Sequence, residues 1–329
     1  MSGKLVTGVT GFIAGQVATA FLKAGYRVRG TTRGEKAKQL NETIKVEGLE
    51  FARVDDLATD DLSEVLKGVY AIIHVASPLP GRTDVDDTLN SAVDGTNHVL
   101  EAASKAGIEK LVITSSFGAL FDASLAPGFQ GLTFTYKDWG VVSREAARAK
   151  ADDHYYVYFA SKILAEKAIW EYAEKHPELD IATVLPGFVF GPYADHFPLP
   201  KESQLGTNGM IYGLVSGAPL DPVPPFIADV RDVAKAHLLA LGVSRKPLGE
   251  KRYIANGGHL TWREAAAHLN KVRPEIKTAA IEAIPAFPGV PSKLDNSHTT
   301  EQLNFGAWIA PEKTIEDAAD ALVALKKTW

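Results

Sequence analysis

A tyrosine and a lysine four residues apart on a helix can hold a proton and release it to a substrate. The segment "DDHYYVYFASKILAEKAIWEYAEK", Asp152 to Lys175, carries Tyr155, Tyr156 and Tyr158, followed by Lys162 and Lys167. Of all the tyrosines in the chain, Tyr158 alone has a lysine four positions on, Lys162. That spacing puts both on one helix face. A phenol ordinarily ionises near pH ~10, and a neighbouring ammonium stabilises the phenolate and lowers that value. Such a pair suits the protonation of an alkoxide left when hydride reaches a carbonyl. Tyr155 and Tyr156 fall on other faces and read as packing or pocket wall. Lys167 is half a turn out of phase and reads as solvated. One such pair also arises by chance in a chain this rich in both residues, so the surrounding elements decide.

Those elements alternate. "KLVTG", "YRVRGTT", "LEFARV", "YAIIHVAS", "KLVITSS" and "IATVLPG" read as six short strands. "FIAGQVATAFLKAG", "SAVDGTNHVLEAASKAG" and the tyrosine segment read as helices between them. Continuously apolar strands separated by helices imply a parallel sheet covered on both faces. The expected fold class is α/β, a doubly wound parallel sheet of the Rossmann type. In such sheets ligands sit at the carboxyl ends of the strands. Ser115 and Ser116 end the fifth strand, where a serine hydroxyl can donate to a carbonyl oxygen. Thr114 and Ser115 can equally be strand-end groups satisfied by the backbone.

The first strand runs into "LVTGVTGFIAGQV", which spaces Gly8, Gly11 and Ala14 three apart. Small residues there let backbone N–H groups approach a pyrophosphate at a helix N-terminus. A plain strand–helix turn is the alternative. The second strand ends "GTTRGEKAKQL". Arg33, Lys36 and Lys38 stand where an NAD site places a carboxylate, so a 2′-phosphate and hence NADP(H) is expected. The third strand ends in "ARVDDLA", where Asp56 with Leu57 is the choice for the adenine edge. Asp55 competes, and either can cap a helix over "DDLSEVL".

After Gly187 the pattern changes. "GPYADHFPLPKESQ" and "SGAPLDPVPPF" are rich in Pro and Gly and read as pocket-shaping loops. "DVRDVAKAHLLALG" reads as a helix, and "LTWREAAAHLNKV" as another, with a capping box from Thr261 to Glu264. The expected division is a dinucleotide-binding domain over 1–187, with 226–243 returning to it. The segments 188–225 and 244–329 form a small interleaved substrate lobe. A chain of 329 residues suits one large α/β domain with such a lobe. Its net charge of −5 and lack of a basic block argue against nucleic acid. With no cysteine, disulfides, thiol nucleophiles and Cys-ligated zinc are excluded. "MSGKLVTG" holds no h-region and no apolar run approaches a span, so a cytoplasmic location and no membrane partner are expected. The histidines are scattered without a metal-binding pattern, so no metal is expected. His154 reads as solvated, His74 and His237 as satisfied core groups, and Trp170 and Tyr172 as packing. Phe117, Phe121, Phe188 and Tyr212 are candidate walls of an apolar substrate pocket.

In order along the chain stand "TGVTGFIA", "DDL", "HVASP", "AVDGTNHVLEAA", "VITSS", "YFASK", "LPGFVFGP" and "DVRDVAKAH". Together they resemble an extended short-chain dehydrogenase/reductase almost end to end. "HVASP", "YFASK" and the basic end of the second strand point to the dihydroflavonol-4-reductase-like branch, which includes fungal aldehyde, ketone and methylglyoxal reductases. The resemblance implies that Ser116 polarises the substrate carbonyl and Tyr158 donates the proton. Lys162 would bind the nicotinamide ribose and tune Tyr158. Gly8, Gly11, Phe12 and Ile13 would hold the pyrophosphate, and Arg33 with Lys36 the 2′-phosphate. Ala76 would lie along the cofactor, with Pro186 and Val189 against the nicotinamide. Two departures stand out. Ala14 replaces the commoner glycine. Phe121 stands where flavonoid reductases carry an asparagine, which favours a smaller or more apolar carbonyl compound. The implied activity is NADPH-dependent carbonyl reduction of a small molecule by a monomer or homodimer. A sugar-nucleotide epimerase or dehydratase, a hydroxysteroid dehydrogenase and a non-catalytic dinucleotide sensor are the rival readings.

Overall fold

The computed structural model describes residues 3–77 and 84–329. Chain order begins with β1 (Gly3–Val6), α1 (Phe12–Lys23), β2 (Arg27–Thr32), α2 (Lys36–Thr43) and β3 (Leu49–Arg53). β4 (Val69–His74), α3 (Val85–Lys105) and β5 (Lys110–Thr114) follow. Then come β6 (Thr133–Phe134), α4 (Arg144–Arg148), α5 (His154–Lys175), β7 (Asp180–Pro186) and β8 (Phe188–Phe190). The last part holds α6 (Asn208–Ser216), β9 (Phe226–Asp229), α7 (Val230–Gly242), β10 (Arg252–Ala255) and β11 (Gly258–His259). It closes with α8 (Trp262–Val272), β12 (Lys293–Leu294), α9 (Ser297–Gln302) and α10 (Pro311–Lys326).

Seven strands form one parallel sheet in the order β10-β7-β5-β4-β1-β2-β3. The order reverses between β1 and β4, which opens a crevice at their carboxyl ends. Alternate strand residues serve opposite faces. Val6, Ile73, Val112 and Val184 meet α1 and α7, while Leu5, Ile72, Leu111 and Ile181 meet α3 and α5. The doubly wound α/β reading holds.

β10 corrects the expected division at 244, because residues 252–255 complete the central sheet beside β7. Its start carries two charges, Lys251 and Arg252, that disguise a buried strand. Both are neutralised at long range: Lys251 Nζ lies 2.6 Å from Asp180, and Arg252 Nε 2.9 Å from Glu166. The remaining lobe packs α10 against α6 and α8. The capping box at Thr261 is present in full and opens α8. No helix forms over "DDLSEVL", where Asp61 instead closes a turn onto the Ser63 N–H at 2.8 Å. The helix-cap alternative for Asp55 and Asp56 therefore falls. No helix among the described residues is long and apolar enough to cross a membrane.

Candidate active site

The site is built at the ends of β5, β4 and β1 and on the first turns of α5. Asp153 caps α5 by accepting from the Tyr156 N–H at 2.9 Å. One turn further on, the Tyr158 side chain comes up to Ser116. Ser116 is buried and extended, and its Oγ also accepts from the Gly118 N–H at 3.1 Å. Burial pushes the Tyr158 phenol up to about 12, and the neighbouring Ser116 side chain works against that rise. Lys162 Nζ lies 5.6 Å from the Tyr158 ring centre and donates to Ser77 Oγ at 2.7 Å. Burial pulls Lys162 down to about 8, with the nearby Glu166 carboxylate pulling the other way. The expected lowering of the phenol is thus absent, because desolvation outweighs the opposing effect of Ser116. A phenol held that high is protonated at neutral pH, the state an acid needs.

The two adjacent serines are separated by their partners. Ser115 Oγ turns away and donates to Glu166 at 2.6 Å. Thr114 Oγ1 lies 2.7 Å from His237 Nε2. Ser116 alone faces Tyr158. His74 and His237 are buried, hydrogen-bonded and held neutral near about 4 by burial. They are core groups, as expected, and His154 is exposed.

Across β4 lies the turn after β1. Gly8 adopts φ +63°, and a side chain there would crowd Ala76 Cβ at 3.0 Å. Gly11 is the N-cap of α1 without any side-chain cap, and no acid stands in the first turn. The N–H groups of Phe12 and Ile13 are thus left for an anion. Thr7 Oγ1 accepts from the Val75 and Ala76 N–H groups at 3.0 and 3.1 Å, which fixes Ala76 against the turn. A pyrophosphate fits this cradle. Pro186 ends β7 and Val189 lies in β8, and both are buried. The Val189 carbonyl accepts from Thr207.

At the end of β2, Arg33 and Lys36 are exposed. Beside them opens a concavity of ≈ 500 Å³ whose lining includes Gly34, Lys38, Asn41 and Arg53. Arg53 escaped the sequence reading. Its one signal is register, since it pairs with Thr32 at the end of the neighbouring strand. Its guanidinium meets Asp55 at 2.6 Å and Glu35 at 3.4 Å. Asp55 also accepts from the Gly34 N–H at 2.6 Å, so that carboxylate ties β2 to β3 and is not free for an adenine. Asp56 accepts from Ala58 N–H at 2.9 Å and Thr59 Oγ1 at 3.0 Å, and Leu57 packs inward. Ser77 was also missed. It follows "HVA" at the end of β4, and only the sheet order brings it to Lys162.

The aromatic candidates divide. Phe117 and Phe121 are not cavity wall. They are buried in a cluster where Phe117 lies 5.1 Å from Phe188 and 5.3 Å from Phe226. The chain after β5 folds back under β8 and β9, so these rings pack on each other. Phe188 does line a cleft, with Phe190, Pro224, Leu260, Trp262 and Phe287. Tyr212 sits elsewhere, donating to Glu202 at 2.7 Å and packing on Trp329. No metal-binding cluster is found among the described residues.

Known proteins share this frame. Residues 4–254 match the NAD dependent epimerase/dehydratase family. The chain is 39% identical to an uncharacterized oxidoreductase of Schizosaccharomyces pombe, over 100% of this chain and 98% of that one. It is 30% identical to the NADPH-dependent methylglyoxal reductase GRE2 of Saccharomyces cerevisiae, over 97% of each. The crystal structure of yeast methylglyoxal/isovaleraldehyde reductase Gre2 complexed with NADPH superposes with a TM-score of 0.84 at 28% identity, covering 99% of this chain and 100% of that one. The chain belongs to the NAD dependent epimerase/dehydratase family, as an extended short-chain dehydrogenase/reductase.

Proposed function

We propose that Tyr158, Lys162 and Ser116 are the catalytic set of this oxidoreductase, which reduces an aldehyde or ketone to an alcohol with NADPH. The observation that carries it is the convergence of the Tyr158 and Ser116 side chains, with Lys162 one turn away at the crevice of the sheet. NADPH supplies the hydride when bound. The Ser116 hydroxyl orients and polarises the carbonyl oxygen by donating to it. Tyr158 delivers its phenolic proton to the same oxygen as negative charge develops there. Lys162 holds the nicotinamide ribose and offsets the phenolate left behind. The turn of Gly8, Gly11, Phe12 and Ile13 takes the pyrophosphate. Arg33 takes the 2′-phosphate with its guanidinium fork and Lys36 as a point charge, both reaching in from solvent. The residues beyond 187, apart from α7 and β10, are assigned to the substrate.

Support comes from the yeast relative, whose name states both NADPH and an α-oxoaldehyde substrate. The cations after β2 favour the phosphorylated cofactor over the NAD of the family's name. The test follows NADPH absorbance against aldehydes, α-oxoaldehydes, α-keto esters, diketones and sugar nucleotides. Consumption is expected with carbonyl compounds and not with sugar nucleotides. Silence across the carbonyl panel would overturn the reading.

A further inference from the structure

Glu166 is among the most buried charged residues of the chain, at 1% exposure, and the mechanism above does not use it. It lies one helical turn past Lys162 on the same face of α5. Its carboxylate collects donors from four parts of the fold. Ser115 Oγ donates at 2.6 Å, Thr183 Oγ1 at 2.8 Å, Arg252 Nε at 2.9 Å and Trp170 Nε1 at 3.4 Å. Arg252 in turn donates to the backbone carbonyls of Tyr136 and Asp138 and lies 3.6 Å over the Trp139 ring. One carboxylate thus joins the catalytic helix, the end of β5, β7, β10 and the 136–139 segment.

We infer that Glu166 is a positioning residue for the reaction: through Ser115 it fixes the chain at Ser116, and from one helical turn beyond Lys162 it sets a carboxylate on the face of α5 that carries Lys162. The inference rests on the roles proposed for Ser116 and Lys162. A neutral hydrophobic set would fill the same space without the desolvation cost of a buried ion pair, so packing alone does not explain the charges. The charged or titratable groups facing Lys162 among the described residues are few. His74 on β4 is neutral and adds no attraction. Tyr158 stands one turn before it, and Glu166 one turn after. Glu166 is the only carboxylate among these groups, and Arg252 on its far side partly offsets it.

The experiment measures kcat/KM for carbonyl reduction from about pH 6 to about pH 10 in wild type, Glu166→Gln, Ser115→Ala and Lys162→Arg. Wild type should lose activity on an alkaline limb as Lys162 deprotonates. Glu166→Gln keeps the hydrogen-bond shape and removes the charge, so the limb should move to lower pH by on the order of one unit. Ser115→Ala should lower kcat several-fold and leave the limb in place. If Glu166→Gln does not fold because Arg252 is left unpaired, Glu166→Gln with Arg252→Met removes both charges and should move the limb in the same direction by a smaller amount. A uniform loss at every pH, with the limb unmoved, would make Glu166 merely structural and overturn the inference. A limb that persists in Lys162→Arg would instead overturn the role given to Lys162.

Discussion

At the end of β5 and on α5, Ser116 and Lys162 are only 4% and 6% exposed, and each is already hydrogen-bonded, to Gly118 and to Ser77. At the end of β2, Arg33, Lys36 and Lys38 are exposed side chains on a surface rim. The first region is fixed by burial and by partners on neighbouring strands. The second leaves its geometry to backbone, and its long cations lose rotamer freedom only when they grip something. On the proposed roles, the rigid buried centre would govern the chemical step and the exposed charged rim affinity and cofactor choice. Substitutions in the two regions should therefore separate kcat from KM.

Lys162→Ala gives the largest expected effect, because Lys162 alone belongs to both halves. Its kcat should fall by roughly 10²–10⁴-fold and its KM for NADPH should rise. A loss confined to KM would place Lys162 with the rim. The serine pair sharpens the contrast within the centre. Ser116→Ala should cost roughly 10²–10³-fold in kcat. Ser115→Ala should cost about ten-fold or less, since Glu166 keeps its other donors. Equal losses would erase the distinction drawn from their partners. On the rim, Arg33→Ala should raise KM for NADPH roughly ten-fold and leave KM for NADH and kcat nearly unchanged. Added salt should mimic it, weakening NADPH more than NADH. An unchanged cofactor preference would remove Arg33 from the site.

The smallest effect concerns stability and not turnover. Burial holds His74 and His237 near about 4, below the ~6.5 of an unfolded chain. The unfolded state then binds more protons between those values. Their contribution is complete above pH ~6.5 and is lost as pH falls toward 4. Asp232, raised to about 6 by burial, works in the opposite direction across part of that window. Two histidines outweigh one carboxyl, so Tm should fall between pH ~6.5 and ~4.5. A flat Tm would mean that at most one imidazole is held neutral, its effect cancelled by Asp232.

The same contrast explains what was legible in the sequence. Six strands announced themselves as continuous apolar runs, and the phosphate turn by its small residues. Tyr158 and Lys162 could be paired because a helix turns local spacing into a shared face. β10 was hidden because Lys251 and Arg252 break its apolar pattern, and their partners Asp180 and Glu166 lie 71 and 86 positions away. Ser115 could not be separated from Ser116 without knowing that Glu166 arrives from α5. Ser77 and Arg53 depend on sheet order and register, which no local window holds. The pocket aromatics failed where side-chain direction mattered. Phe117 and Phe121 look the same in sequence whether they line a cavity or fill a core.

The central claim is that Tyr158 supplies the proton for NADPH-dependent carbonyl reduction. Its most direct test measures the NADPH dissociation constant and kcat on one preparation of Tyr158→Phe, beside wild type. A phenylalanine keeps the ring and removes only the acid. NADPH affinity should stay within a few-fold while kcat falls by roughly 10²–10⁴-fold. Near-normal turnover in Tyr158→Phe would contradict the account.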